Sequence, residues 1–345
     1  RDDSEEFDNA VVTFPFSSYE EGFSVESFFG QVNYDYSNKY YLSGSLRRDG
    51  SSRFINQKWG TFGSIGGSWV ISKEEFMNDQ NLFDYLKVKM SYGVIGDQSV
   101  GAYYPGLITY PLSNLDDLAA IGAPNIGNPD LTWEKAKMFQ TGVDFEIGRY
   151  LTGSFEYYIK NTTDLIFDRR VGPSNGYGLI TVNDGELQNR GFEFDLTAHL
   201  LKNQDFFLDI GVNGEVFKNK LTKMPIEPST GLPKILDPQS PYGWSKGRSI
   251  YDFYLRDFVG VDSEDGRSTW AVHFIDKNSD GVFDNSIDQG IVSLSAFENV
   301  NNDEILVGET KVYQQATIKY INKSAIPKIR GAFNLAAGYK GLNFN

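Results

Sequence analysis

The 345-residue chain contains no cysteine. That excludes disulfides and thiolate-held metal centres. It also removes the hazard of wrong disulfides during export through an oxidising compartment. Histidine is nearly absent, His199 and His273 being the only two. Each sits in a strand-like stretch with no evident partner, so neither a Ser/His/Asp triad nor a histidine metal site assembles from the sequence. No run of about 18 apolar residues occurs, which excludes a transmembrane helix. The mean hydropathy of −0.38 agrees. Basic residues are in deficit, 32 against 46 acidic ones, for a net charge of −14. Nucleic-acid binding calls for a basic footprint, so that partner class is disfavoured. The start, Arg1-Asp2-Asp3-Ser4-Glu5-Glu6, is acidic and has no apolar leader.

Aromatic residues are plentiful, with 26 Phe, 20 Tyr and 5 Trp making 15% of the chain. They fall in a two-residue rhythm. Phe139, Thr141, Val143, Phe145 and Ile147 share one face, and Gln140, Gly142, Asp144 and Glu146 the other. The next segment repeats it: Leu151, Gly153, Phe155, Tyr157 and Ile159 against Thr152, Ser154, Glu156, Tyr158 and Lys160. A transmembrane β-barrel carries this pattern, with lipid outside and water or a plug inside. A soluble sandwich carries it too, with apolar faces packed together.

A pass along the chain gives about ten strands. Strand-like stretches run over 24–36, 39–48, 59–71, 85–94, 137–149, 151–166, 188–199, 206–218, 250–262, 268–275 and 328–339. Turn formers at Ser37-Asn38-Lys39, Arg149-Tyr150 and 201–205 close three hairpins. A helical turn fits within 73–85. Long connections cover about 95–135, 221–248 and 276–325. Short turns alternating with long loops are the habit of outer-membrane barrels, whereas compact soluble domains rarely carry several loops of that length. Gly172-Pro173-Ser174-Asn175-Gly176 reads as a loop and not a phosphate cradle, because no helix follows it. The C-terminal Gly341-Leu342-Asn343-Phe344-Asn345 reads as a strand beginning, so the chain is expected to be a segment of a longer polypeptide.

An ordered series of blocks carries a family resemblance. It begins with Tyr40-Tyr41-Leu42-Ser43-Gly44-Ser45-Leu46-Arg47-Arg48-Asp49-Gly50-Ser51-Ser52-Arg53-Phe54 and Trp59-Gly60-Thr61-Phe62. It continues with Leu86-Lys87-Val88-Lys89-Met90-Ser91-Tyr92-Gly93-Val94-Ile95-Gly96-Asp97-Gln98, Asn128-Pro129-Asp130-Leu131-Thr132-Trp133-Glu134-Lys135 and Asn189-Arg190-Gly191-Phe192-Glu193. Gly247-Arg248-Ser249-Ile250-Tyr251-Asp252-Phe253-Tyr254, Gly260-Val261-Asp262 and the stretch from Ile326-Pro327-Lys328 to Tyr339-Lys340-Gly341-Leu342 complete it. Together these resemble the SusC/RagA-like TonB-dependent outer-membrane transporters. The resemblance implies an all-β fold, a large antiparallel transmembrane barrel of about 22 strands of which this chain is a fragment. It implies TonB-dependent import of a bulky nutrient, an oligosaccharide or a peptide, across the outer membrane of a Gram-negative bacterium. The implied partners are a SusD-like surface lipoprotein as lid, the TonB complex and outer-membrane lipid. The implied plug domain and TonB box are not in this sequence.

Read on their own, most of these blocks are structural. Arg47-Arg48-Asp49-Gly50-Ser51-Ser52-Arg53 ends a strand and enters a turn, and its charges sit naturally on a solvated surface. Trp59, Trp69 and Trp133 read as interfacial anchors. Loop aromatics Tyr103, Tyr104, Tyr242, Trp244 and Trp270 are the candidate substrate contacts, because they are rigid and amphipathic, with loop packing or contact with a lid as the other reading of each.

The sharpest local chemistry is Asp276-Lys277-Asn278-Ser279-Asp280-Gly281-Val282-Phe283-Asp284. Asp276, Asn278, Asp280, the Val282 carbonyl and Asp284 stand at calcium-loop spacing, with Gly281 permitting the sharp turn. The closing acid is displaced: Ile287 occupies its position and Asp288 follows one residue late. The expectation is a weak Ca2+ site or, equally, an acidic surface turn. No catalytic set emerges, and the chain is expected not to be an enzyme. Two other readings stay open: a soluble secreted glycan-binding or hydrolytic β-protein, and a passive porin or adhesin.

Overall fold

The computed structural model describes residues 20–115, 118–122, 124–171, 178–203, 205–227, 230–294 and 304–344. The loop at 172–176 and the acidic start lie outside these residues. Two compact units emerge, one of residues 1–218, 225–233 and 328–345, the other of 219–224 and 234–327.

The strands, in chain order, open with β1 (Val25–Tyr36), β2 (Tyr40–Ser51), β3 (Trp59–Val70) and β4 (Tyr85–Asp97). Next come β5 (Leu112–Leu115), β6 (Leu118–Ile121), β7 (Glu134–Ile147) and β8 (Leu151–Thr163). Then follow β9 (Ile166–Arg170), β10 (Leu179–Asn183), β11 (Glu186–Lys202) and β12 (Phe206–Lys223). The next eight are short: β13 (Asp237–Gln239), β14 (Tyr242–Trp244), β15 (Asp252–Arg256), β16 (Phe258–Val261), β17 (Ser268–Ile275), β18 (Gln289–Ile291), β19 (Ile305–Thr310) and β20 (Ile318–Ser324). The last are β21 (Arg330–Tyr339) and β22 (Leu342–Phe344).

Ten strands form one antiparallel sheet in the order β1-β2-β3-β4-β7-β8-β11-β12-β21-β22. Every neighbour in the sheet is also the next long strand in sequence, so the sheet is a simple meander. Its connections are lopsided. At one end they span 37–39, 148–150, 203–205 and 340–341, and a 71–84 segment holding two 3-10 turns, Ile71–Lys73 and Glu75–Met77. At the other they span 52–58, 98–133, 164–185 and 224–329. Ser37 (φ 53°) and Asn38 (φ 52°) both lie in the left-handed region, as the central residues of a type I′ turn do, and the Lys39 N–H donates to the Tyr36 carbonyl (3.0 Å).

Register makes the two faces continuous. On one face Val88 lies opposite Val143, Val143 opposite Phe155, and Phe155 opposite Phe194. Tyr92, Phe139 and Ile159 form a parallel row. Further along, Ile210 faces Leu335 and Val212 faces Phe333. Rings stack along this surface, Phe155 lying 5.8 Å from Phe145 and 5.7 Å from Phe192. It is not covered by protein: Phe155 is 37% and Phe333 65% exposed. Large rings left in the open across a whole sheet suit contact with lipid, not a folded sandwich core.

The second unit corrects part of the sequence reading. The stretch 250–262 is two strands, β15 and β16, and with 268–275 it belongs to small sheets apart from the ten-stranded one. The segment 276–325, read as loop, holds β18, β19 and β20. The physical reason is local burial. Ala271, Val272 and Phe274 on β17 are all nearly inaccessible, so this strand packs on both faces within its own unit. Thr317 donates to the Ile291 carbonyl (2.7 Å) and accepts from the His273 N–H (2.7 Å), satisfying the buried backbone there.

Candidate functional site: the polar face of the sheet

The opposite face of the ten-stranded sheet is charged and internally bonded. Lys89 on β4 reaches Asp144 on β7 (2.9 Å) and Glu156 on β8 (2.5 Å). Gln140 also donates to Glu156. The Tyr158 hydroxyl donates to Glu215 on β12 (2.9 Å). Arg330 on β21 grips the same carboxylate through Nε (2.7 Å) and a terminal nitrogen (2.6 Å). Its guanidinium lies 4.9 Å over the Phe217 ring. A groove of about 610 Å³ opens on this wall, lined by Glu156, Glu193, Asp195, Asn213, Glu215 and Arg330. Four carboxylates against one guanidinium make it acidic. Such a wall is costly in hydrocarbon and at home against water or a polar protein segment.

His199, read as partnerless, is in fact bonded on this face: its Nδ1 lies 2.8 Å from Asp209 Oδ1, and its Nε2 lies 3.4 Å from Thr152 Oγ1. The partner comes from the next strand of the hairpin, a pairing legible only once the strand phase of 206–218 is known.

Toward the long-loop end an apolar knot closes the wall. Phe54, Phe62, Leu131 and Trp133 form a buried cluster, with Val94 and Val100 packed against it. Trp133 lies 5.5 Å from Phe54 and 5.4 Å from Phe62, and its indole N–H donates to the Lys58 carbonyl (3.0 Å). The interfacial reading of Trp133 is therefore wrong. Trp133 is 4% exposed because Phe54, Phe62 and Leu131 pack around it. Trp59 and Trp69 do lie on the apolar face, at opposite ends of β3. Trp69 stacks on Tyr40 (6.3 Å) at the short-turn end and donates to Glu74 (3.0 Å).

The five aromatic residues expected to touch substrate fall into separate clusters. Tyr103 packs on Phe23 (5.7 Å) and beneath the Arg53 guanidinium (5.3 Å). The Tyr104 hydroxyl accepts from the Gly22 N–H (3.3 Å). In the second unit, Tyr242 packs on Tyr251 (5.9 Å) and Phe253 (5.4 Å), and Trp244 donates to the Ile250 carbonyl (3.1 Å). Trp270 meets Phe258 (5.5 Å) and Tyr313 (4.9 Å) edge-on.

The 276–288 loop is ordered by its own backbone. Asp276 accepts from the N–H groups of Asn278 (3.2 Å), Ser279 (2.7 Å) and Gly281 (2.8 Å). These bonds hold its carboxyl below the usual carboxylate range. Asp280 accepts from Val282 (2.7 Å), and the buried Asp288 from Lys277 (3.1 Å) and Asp284 (2.7 Å). Gly281, at φ 75°, turns where a side chain would be strained. Among the described residues no three carboxylate or imidazole groups converge as a metal cage.

Comparison with known proteins places this architecture. The family described as "TonB dependent receptor-like, beta-barrel" matches residues 1–232. TonB-dependent receptor P3 of Formosa agariphila is 34% identical over 265 residues, covering 74% of this chain and 26% of that protein. TonB-dependent receptor SusC of Bacteroides thetaiotaomicron is 32% identical over 212 residues, covering 58% of this chain and 21% of that protein. The solved RagAB peptide transporter superposes with a TM-score of 0.72 at 26% identity, over 93% of this chain and 32% of that one. The chain thus spans about a quarter of the length of the curated relatives it matches. These relatives are receptors and transporters, not enzymes. The chain belongs to the TonB-dependent receptor β-barrel family, whose members are outer-membrane proteins of Gram-negative bacteria, and within it to the SusC/RagA type.

Proposed function

We propose that the whole protein imports a bulky nutrient, an oligosaccharide or a peptide, across the outer membrane, driven by TonB and capped by a SusD-like lipoprotein. The observation that carries this reading is the two-faced sheet. Its apolar face is open along ten strands, and its other face is an acidic, hydrogen-bonded wall. In this reading the apolar face meets lipid, the wall lines the lumen, and the long connections lie outside the cell. The described likeness to a peptide transporter favours peptide among the substrates. The test is uptake. A strain lacking the gene should fail to take up labelled oligosaccharides or peptides above porin size, and a strain lacking TonB should fail equally. Uptake that survives loss of TonB would indicate a passive pore and overturn the proposal.

Calcium at Asp276, Asn278, Asp280, Val282, Asp284 and Asp288 is a proposal supported by the spacing alone. Its affinity would fall in the weak range of extracellular modules, about 0.1–1 mM.

A further inference from the structure

The apolar face carries charge only toward its rims, and at the long-loop rim the surplus is positive. Strand phase puts Lys137 on the same face as Phe139 and Val143, Arg190 on the same face as Phe192 and Phe194, and Lys218 on the same face as Val212 and Val216. All three are exposed, and none forms an ion pair among the described residues. Lys135, one step further out, already pairs with Asp164 (3.3 Å). Register sets Lys137 opposite Asn161 and Asn161 opposite Gln188, whose amide donates to it (2.9 Å). Arg190 is two residues from Gln188 on the same face. Arg190 itself lies opposite Ile159, in the row of Phe139, and Lys137 lies one row further toward the long-loop end, beside the Asn161–Gln188 pair.

This rim runs against the composition. The chain as a whole is at −14, and the opposite face of the same strands is acidic. Three unpaired cations on β7, β11 and β12 are therefore not a sample of a basic surface. The strands β7, β8, β11 and β12 are consecutive, so the three side chains spread over about 14 Å at roughly 4.8 Å per strand. One phosphate spans too little to meet all three, whereas a headgroup carrying several anionic groups reaches them together. Long Lys and Arg stems lie along apolar surface while their charges reach the headgroup plane.

We propose that Lys137, Arg190 and Lys218 form a docking rim for the anionic headgroup of lipopolysaccharide in the outer leaflet. The proposal rests on the membrane orientation given above. Binding here fixes the depth of the barrel and orders lipid around β7–β12.

The test uses the full-length protein extracted from outer membranes. The variant K137Q/R190Q/K218Q is compared with K73Q/K202Q/K340Q, which removes the same charge at the short-turn end. Co-purified 3-hydroxy fatty acids report lipopolysaccharide, and phospholipid phosphorus is measured in parallel. The rim variant should lose lipopolysaccharide at least about tenfold, about 1.4 kcal/mol, while the control retains it. Equal lipopolysaccharide in both variants, or loss of phospholipid alone, would overturn the rim. Wild-type protein that leaves the cell envelope without detergent would instead sink the membrane orientation, so the two failures are distinguishable.

Discussion

At the residue scale, the sharpest assignments concern groups whose partners were hidden in the sequence. Asp288 is nearly buried and holds two backbone N–H groups across the 276–288 loop. Asp288→Ala strands both donors and is expected to cost the second unit about 1–3 kcal/mol, read by denaturant unfolding. Millimolar calcium should slow hydrogen exchange at 276–288 in the wild type but not in Asp276→Ala. Identical exchange with and without calcium removes the cation reading. His273 supplies a pH handle. Burial and then the Lys319 charge push its pKa down, and its Nδ1 is buried without a hydrogen bond among the described residues. A histidine with a lowered folded pKa takes up protons on unfolding, so stability falls as pH drops through the ordinary histidine value of about 6.5. The second unit should therefore weaken between pH 7 and 5, and His273→Gln should flatten that slope. Asp265 behaves oppositely to a sensor. Lys311 (2.9 Å) and then Arg267 (2.7 Å) hold its carboxyl far below the usual range. Its pairing is intact at neutral pH and, on the acid side, is lost only below the ordinary carboxylate range.

At the scale of elements, the β7–β8 hairpin is the best place to tell lipid from protein. Val143 and Phe155 are direct cross-strand partners on the apolar face, while Asp144 and Glu156 share Lys89 on the other. Val143→Arg or Phe155→Arg is expected to cost about 2–4 kcal/mol near the bilayer midplane. Spin labels at 143 and 155 should relax strongly with lipid-soluble oxygen, and labels at 144 and 156 should not. Protection of 143 and 155 from both oxygen and aqueous quenchers would mean a protein core. The knot around Trp133 makes a contrasting case. Trp133→Ala empties a site walled by Phe54, Phe62 and Leu131 and should cost about 3–5 kcal/mol, with no change in lipid contact.

At the scale of the whole molecule, the apolar face and the lopsided connections together call for a membrane. Trp59 and Trp69 mark the two ends of β3, ten residues apart in number, which is about 33 Å of strand and fits a tilted crossing of the hydrocarbon core. The full-length protein should fractionate with outer membranes and need detergent. Recovery in a soluble fraction would return the secreted β-protein to first place. Much of this was legible in the sequence. Alternation placed Val143, Phe155, Asp144 and Glu156 on their faces before any coordinates, because a strand has only two sides and a one-residue slip would swap them. Turn chemistry marked the hairpin at Ser37 and Asn38 for the same local reason. What alternation does not carry is which strands share a sheet. β15, β16 and β17 read like barrel strands but pair within small sheets of their own, and β18 to β20 read as loop, since their pairing is decided by distant burial around Phe274, Ile291 and Thr317. Trp133 looked like an anchor and proved to be core, and His199 looked isolated and proved to be bonded. For Trp133 the deciding neighbour, Phe54, is brought in by folding of distant chain, whereas for His199 it is Asp209 across the 201–205 hairpin, whose register alternation alone does not fix.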